Sequence, residues 1–199
     1  MSTLAGAERF DRRYYDRYYR NKQTRVQSAR EVERLGRFVC AYLGHLEQPV
    51  RRVLDAGCGL GYWRKVIAAH YPAARYTGIE LSPYLCEELG WTQASVVDYA
   101  PRGRFDLVIC QGVLQYLDDA AAAAAIANLG RLSRGALYLE ALTAEDWRDN
   151  CDRRATDGRV HLRSAEWYRK RLSRRFRAAG GGLYLHRESR SVLYALEGL

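Results

Sequence analysis

Between residues 53 and 140 short apolar runs alternate with amphipathic stretches, and most of the apolar runs stop at a carboxylate. Val53-Leu54 leads to Asp55, Arg75-Tyr76-Thr77-Gly78-Ile79 to Glu80, Ala94-Ser95-Val96-Val97 to Asp98, and Ala136-Leu137-Tyr138-Leu139 to Glu140. Phe105-Asp106-Leu107-Val108-Ile109-Cys110 is the most continuous run, as expected of a central parallel strand covered on both faces. Helices are predicted between these strands. One covers Tyr62 to His70 and is broken by Tyr71-Pro72. The next starts at Ser82-Pro83, a cap followed by a first-turn proline, and closes at Gly90. A third, rich in alanine, runs from Asp118-Asp119 to about Leu132 with Ile126, Leu129 and Leu132 inward.

The flanks read differently. A helix from about Val26 to Leu46 carries Val32, Leu35, Val39, Leu43 and Leu46 at intervals of three and four. Before it, residues 1–24 are polar and tyrosine-rich, with Tyr14 above Tyr18 and Tyr15 above Tyr19 on a helical face. That segment either packs its rings on the domain or covers a ligand. Residues 142–163 are polar and without period, a candidate active-site loop. Ser164 then caps a helix with Trp167, Tyr168, Leu172 and Phe176 inward, ended by Gly180-Gly181-Gly182. Two strands, 183–186 and 191–196, are expected to close the chain as a hairpin. The organisation is one α/β domain over 51–199 with an N-terminal helical cover over 1–50.

The chemistry concentrates in Asp55-Ala56-Gly57-Cys58-Gly59-Leu60-Gly61. Glycine lets a chain leaving a strand turn sharply and approach a ligand closely. A dinucleotide site spaces its glycines G-x-G-x-x-G around a pyrophosphate. Here the spacing is G-x-G-x-G, position 62 is Tyr, and Asp55 would repel a phosphate. A carboxylate there suits an ammonium or sulfonium. The stretch resembles the first motif of the class I S-adenosylmethionine-dependent methyltransferases. Gln111-Gly112-Val113-Leu114-Gln115-Tyr116-Leu117 is similar to that family's segment after strand four, with Gln115 and Tyr116 in place of its two histidines.

The resemblance, which covers about residues 53–196, implies a Rossmann-like three-layer α/β/α sandwich. Its seven-stranded sheet is mostly parallel, with the last strand antiparallel. It also implies S-adenosylmethionine as cofactor, S-adenosylhomocysteine as product, and no metal. The cofactor would rest on Asp55, Ala56, Gly57, Cys58, Gly59 and Gly61. Glu80, followed by Leu81, would grip the ribose hydroxyls, because a carboxylate only accepts hydrogen bonds. Asp98 would accept from the adenine amino group with Tyr99 beside it, Gln111 would lie beside the methionine part, and Val113 is a further cofactor-binding candidate. Glu140, Tyr15, Tyr19, Tyr116 and His161 are the candidates to touch the acceptor or take its proton, and Trp147 and Trp167 the candidates to wall it. Removing Asp55 or Glu80 should abolish cofactor binding without unfolding the domain.

Composition changes this picture little. The net charge of +9 invites a nucleic-acid partner, but Lys22, Lys65 and Lys170 are the only lysines and the arginines are spread along the chain. The one cluster, Arg169-Lys170-Arg171 with Arg174-Arg175 and Arg177, reads first as a solvated helix face. The cysteines, Cys40, Cys58, Cys86, Cys110 and Cys151, are odd in number and lack a C-x-x-C pair, which points to a reducing, cytoplasmic setting. The four histidines fall in no ligand spacing, no apolar run is long enough to span a membrane, and no signal peptide is visible. The expected function is methyl transfer to an O or N atom of a small molecule. RNA or protein methylation, and a non-catalytic cofactor-binding partner subunit, are the alternatives. No Asn-Pro-Pro-Tyr-like segment follows strand four to favour a base or amide nitrogen.

Overall fold

The structure, a computed structural model, describes residues 6–198. Its strands are β1 (Arg52–Ala56), β2 (Arg75–Glu80), β3 (Thr92–Gln93), β4 (Phe105–Gln111), β5 (Ser133–Glu140), β6 (Phe176–Gly180) and β7 (Leu183–His186). They form one sheet in the order β3-β2-β1-β4-β5-β7-β6. Strands β1 to β5 pair in parallel, and β7 runs antiparallel to both of its neighbours.

Each central strand serves two cores because successive side chains point to opposite faces. Val53, Leu107, Ile109 and Ala136 pack against Val39 and Leu43 of α2 (Ala29–His45) and Val66 of α3 (Tyr62–His70). Leu54, Val108, Cys110 and Leu137 face the other way, onto Ile126 and Leu129 of helix Asp119–Leu132 and Leu172 of helix Ala165–Leu172. The result is the expected three-layer sandwich. Helix α2 begins at Ala29, three residues after the expected Val26. A reciprocal cap fixes its start, Ser28 Oγ accepting from Glu31 N while Ser28 N donates to Glu31 Oε2 at 2.7 Å. The other caps fall where the sequence places them, at Ser82, Asp118 and Ser164.

Two expectations are corrected. The third strand is Thr92–Gln93, and residues 96–98 form a turn instead. Ser95 Oγ accepts from Val97 N at 3.2 Å and the Ser95 carbonyl from Tyr99 N at 3.0 Å, local bonds that compete with a sheet ladder. Val96 is apolar because it is buried in the core, not because it pairs.

The closing hairpin also lies one element earlier. Phe176, expected on the helix, stands on β6, and Gly180, Gly181 and Gly182 all have positive φ and turn the chain into β7. Residues 191–196 form no strand, and Val192 and Tyr194 are exposed. The interval from Leu172 to Phe176 fits a helix turn, so periodicity could not separate the two readings.

The order of strands reverses between β1 and β4, where connections leave to opposite sides and open a crevice beyond their carboxyl ends. No helix among the described residues is long and apolar enough to cross a membrane.

Candidate active site

The glycine turn is fastened to β2, with Gly57 N and Cys58 N both donating to the Ile79 carbonyl at 2.9 and 3.0 Å. Gly57 sits at φ 80°, and a Cβ there would lie 2.3 Å from Val113 Cγ2. Gly59, at φ 49°, has open space where its Cβ would be. The backbone is therefore bare where a ligand must come close. The residues present fit an adenosyl ligand in this respect.

Glu80, at the end of β2, is buried and organises the loops around it. Its Oε1 accepts from Leu81 N at 2.8 Å and Ser82 N at 3.0 Å, with the Tyr15 hydroxyl at 3.5 Å. Oε2 accepts from Gly59 N at 2.8 Å alone among the described residues. A carboxylate oxygen has two lone pairs, so Oε2 retains capacity for a ligand hydroxyl.

Asp55, at the end of β1, is 2% exposed and accepts a 2.5 Å hydrogen bond from the Tyr76 hydroxyl. Burial pushes its pKa up to about 7, opposed by the Tyr76 bond and reinforced by the nearby Glu80 charge. Because this lies above the ordinary 3.8, the stability contributed by the neutral carboxyl is full below that value and is lost as pH rises through about 7. A cation bound beside it favours ionisation. S-adenosylmethionine should therefore bind more tightly as pH rises through that range, releasing a proton. Calorimetry in buffers of different ionisation enthalpy should show the release, and Asp55→Asn should remove it. An equal release in the variant would rule out Asp55 as its source.

Strands β4 and β5 bring Gln111 opposite Glu140. Gln111 Oε1 accepts from Trp63 Nε1 at 2.8 Å, and its Nε2 donates to Glu140 Oε2 at 3.2 Å and to Gln27 Oε1 at 3.2 Å. Tyr138 donates to the same Glu140 oxygen at 3.0 Å. Three donors and acceptors thus lock the amide in one orientation.

A cavity of about 720 Å³ joins these groups. The N-terminal segment covers it. Asp11 caps α1 (Arg12–Tyr15), and residues 16–20 continue as a π-turn, so that Phe10, Tyr14, Tyr15, Tyr18 and Tyr19 line the space. Ser82 Oγ donates to the Phe10 carbonyl at 2.5 Å, and the Tyr14 and Tyr116 hydroxyls meet at 2.7 Å. Burial raises the pKa of Tyr14, Tyr15 and Tyr19 and pushes Tyr116 up to about 12, so all four stay protonated near neutrality.

Of the cofactor candidates, Asp55, Gly57, Cys58, Gly59, Glu80 and Leu81 line the cavity, as do Gln111 and Val113. Ala56 and Gly61 do not. Ala56 is buried in the sheet core, and Gly61 takes the left-handed backbone that starts α3. Asp98 and Tyr99 also lie outside the wall, carried away by the turn that replaces the expected strand. Tyr99 is held elsewhere, its carbonyl accepting from Asn128 Nδ2 at 3.1 Å.

Glu140, Tyr15, Tyr19 and Tyr116 line the cavity, whereas His161 is exposed outside it and its N–H donates to the Gln115 carbonyl. Trp147 and Trp167 are not in the wall either. Arg171 and Arg163 lie over the Trp167 ring at 3.6 and 4.9 Å. The polar loop does line the cavity, through residues between Leu142 and Val160.

Sequence reasoning missed Arg9, Gln115, Asp157 and the support from Tyr76. Arg9 Nη2 donates to Asp157 Oδ2 at 2.8 Å, pinning the N-terminal cover to the loop. Only Tyr76 carried a signal, since it sits on β2 beside β1.

An open sheet with a glycine turn and acidic strand ends at its switch point defines an adenosyl-binding α/β domain. Residues 18–187 match the family model described as a methyltransferase domain. The chain belongs to that family, the class I S-adenosylmethionine-dependent methyltransferases of Rossmann-like fold.

Two trans-aconitate 2-methyltransferases are similar over part of the chain. That of Methylobacterium radiotolerans is 35% identical over 81 residues, 37% of this chain and 31% of the relative. One from Escherichia coli O139:H28 is 31% identical over 77 residues, 35% of this chain and 31% of the relative. The match thus spans about a third of the length of these curated relatives.

Among solved structures, the magnesium protoporphyrin IX methyltransferase of Synechocystis PCC 6803, with bound S-adenosylhomocysteine, aligns with a TM-score of 0.61 at 19% identity. The alignment covers 93% of this chain and 97% of that one. The sugar N-methyltransferase KedS8 of Streptoalloteichus sp. aligns with a TM-score of 0.61 at 18% identity, over 78% of this chain and 87% of that one. At such identities these two likenesses establish the fold.

Proposed function

We propose that this chain transfers the methyl group of S-adenosylmethionine to an oxygen or nitrogen atom of a small molecule held beneath the N-terminal cover. The observation that carries the reading is the convergence of Asp55, Glu80 and Glu140 with the bare glycine turn on one cavity of about 720 Å³. That volume lies in the range of small-molecule sites, roughly 300–1,000 Å³. Glu80 Oε2 would accept from the ribose, Leu81 and Val113 would flank the adenine, and Asp55 with Gln111 would hold the methionine end. When bound, the cofactor supplies an electrophilic methyl group on a sulfonium.

The chain's own part is orientation and proton handling. Burial holds Tyr14, Tyr15, Tyr19 and Tyr116 protonated, so they donate hydrogen bonds rather than act as bases. Glu140, in the wall at the end of β5, is the residue suited to take a proton from the acceptor. The N-terminal segment, through Phe10 and the tyrosines that line the cavity, favours a small acceptor over RNA or a folded protein.

The test is a binding titration of S-adenosylhomocysteine, followed by incubation of the chain with methyl-labelled cofactor and a metabolite extract. Saturable binding and a labelled small molecule are expected. Absence of binding, or label appearing only in RNA or protein, would refute the proposal.

A further inference from the structure

We infer that the acceptor is an amine, and that Glu140 and Gln115 select it over alcohols and carboxylic acids. The inference rests on the proposed methyl transfer and concerns the charge of the same cavity. The chain carries a net charge of +9, yet the cavity wall carries the opposite sign. Six carboxylates line it, Asp55, Glu80, Glu140, Asp146, Asp152 and Asp157, against the single guanidinium of Arg9.

That guanidinium is already engaged. It donates to Asp157 Oδ2 at 2.8 Å and to the Arg159 carbonyl at 3.1 Å, and it lies 5.1 Å from the ring centres of both Phe10 and Tyr116. A carboxylate acceptor would need cationic donors to offset its desolvation, and the cavity wall offers only the remaining N–H groups of Arg9, whose charge Asp157 already balances.

Two acceptor atoms have no hydrogen-bond partner among the described residues. Gln115 is 8% exposed, lines the cavity, and its Oε1 has no hydrogen-bond partner. A buried polar atom left so costs about 1–3 kcal/mol unless a ligand donor meets it. At Glu140 both side-chain bonds end on Oε2, so Oε1 takes none among the described residues. An amine brings two or three N–H donors to acceptors of this kind, while an alcohol brings one and a carboxylate none.

The charge also stays in place during transfer. The bound ammonium first gives one proton to the Glu140 carboxylate and on to water; the freed nitrogen lone pair then forms the N–C bond, the C–S pair remains on sulfur, and positive charge passes from sulfur to nitrogen within an acidic enclosure. Aromatic faces from Tyr14, Tyr18 and Tyr19 add a surface that favours a cation.

The experiment is calorimetry on the full chain saturated with S-adenosylhomocysteine. The probes are two matched sets, benzylamine, benzyl alcohol and benzoate, then glucosamine, glucose and glucuronate, with trans-aconitate alongside. In at least one set the amine should bind about tenfold or more tightly than its alcohol and carboxylate. Glu140→Gln should reduce that preference about tenfold. Tighter binding of trans-aconitate or of a carboxylate, an amine preference in neither set, or a preference unaltered in the variant would each overturn the inference. Failure of S-adenosylhomocysteine itself to bind would instead remove the methyltransferase reading on which it stands.

Discussion

Glu80→Ala should abolish measurable S-adenosylhomocysteine binding, a loss of at least about a hundredfold, and should lower the melting temperature as well. The first effect follows from losing the ribose acceptor, at about 1.4 kcal/mol for each tenfold. The second follows from the structure, where Glu80 accepts from the backbone N–H groups of Gly59, Leu81 and Ser82. Each buried donor left without a partner costs about 1–3 kcal/mol, so the glycine turn and the start of the Pro83–Leu89 helix both loosen. The sequence alone suggests loss of the ligand without loss of stability, and the structure changes that expectation for this residue. Glu80→Gln sharpens the test. An amide has one acceptor oxygen where the carboxylate has two, and its NH2 must oppose a backbone N–H on one side. It should recover part of the stability and little of the affinity. Calorimetry and thermal melting read both quantities, and an alanine variant binding within about threefold of the parent would refute the assignment of Glu80 to the ribose.

Arg163→Ala should destabilise the chain by several kcal/mol, because three backbone carbonyls lose a charged donor at about 1–3 kcal/mol for each that stays buried, while the ion-pair partner Asp119 is exposed and contributes little. Arg163 is 5% exposed and holds the segment after β4 to the loop that lines the cavity. Its Nη1 donates to the carbonyls of Leu114 and His161 at 3.1 and 3.3 Å, its Nη2 to the Leu117 carbonyl, and its Nε to Asp119 at 2.8 Å. Alanine would strand three carbonyls and leave a cavity against Tyr168. Lysine would not restore them, since a single ammonium cannot reproduce the planar fork. Urea denaturation of both variants measures the cost, and a change below about 1 kcal/mol in the alanine variant would show that water replaces the guanidinium without penalty. Because this arginine positions Gln115 and Tyr116 through the backbone, cofactor affinity should fall less than acceptor affinity.

The elements read most faithfully from the sequence are those whose signals are local. Helix Tyr62–His70 has the predicted limits because a left-handed glycine starts it and Tyr71-Pro72 stops it. The caps at Ser82, Asp118 and Ser164 depend only on a side chain reaching three residues ahead. The expected strand at 94–97 failed because burial of Val96 and pairing in a sheet leave the same apolar trace. The triple glycine was legible as a break, but whether it ended a helix or turned a hairpin depended on Tyr138 and Leu139 of β5, against which Gly182 packs too closely for a Cβ.

The sequence by itself determined the glycine turn, the carboxylates at Asp55, Glu80 and Glu140, and the order of the units that bring them to one end of a sheet. These follow from residue type and from the rule that parallel strands end on one side. Only the tertiary structure decided what encloses the ligand. Arg9 meets Asp157 across 148 positions of chain, and Tyr14 meets Tyr116 across 102. Separations of that length leave no periodicity to read. The sign of the cavity was likewise hidden, since a chain with net positive charge gathers its carboxylates around one space only when it folds.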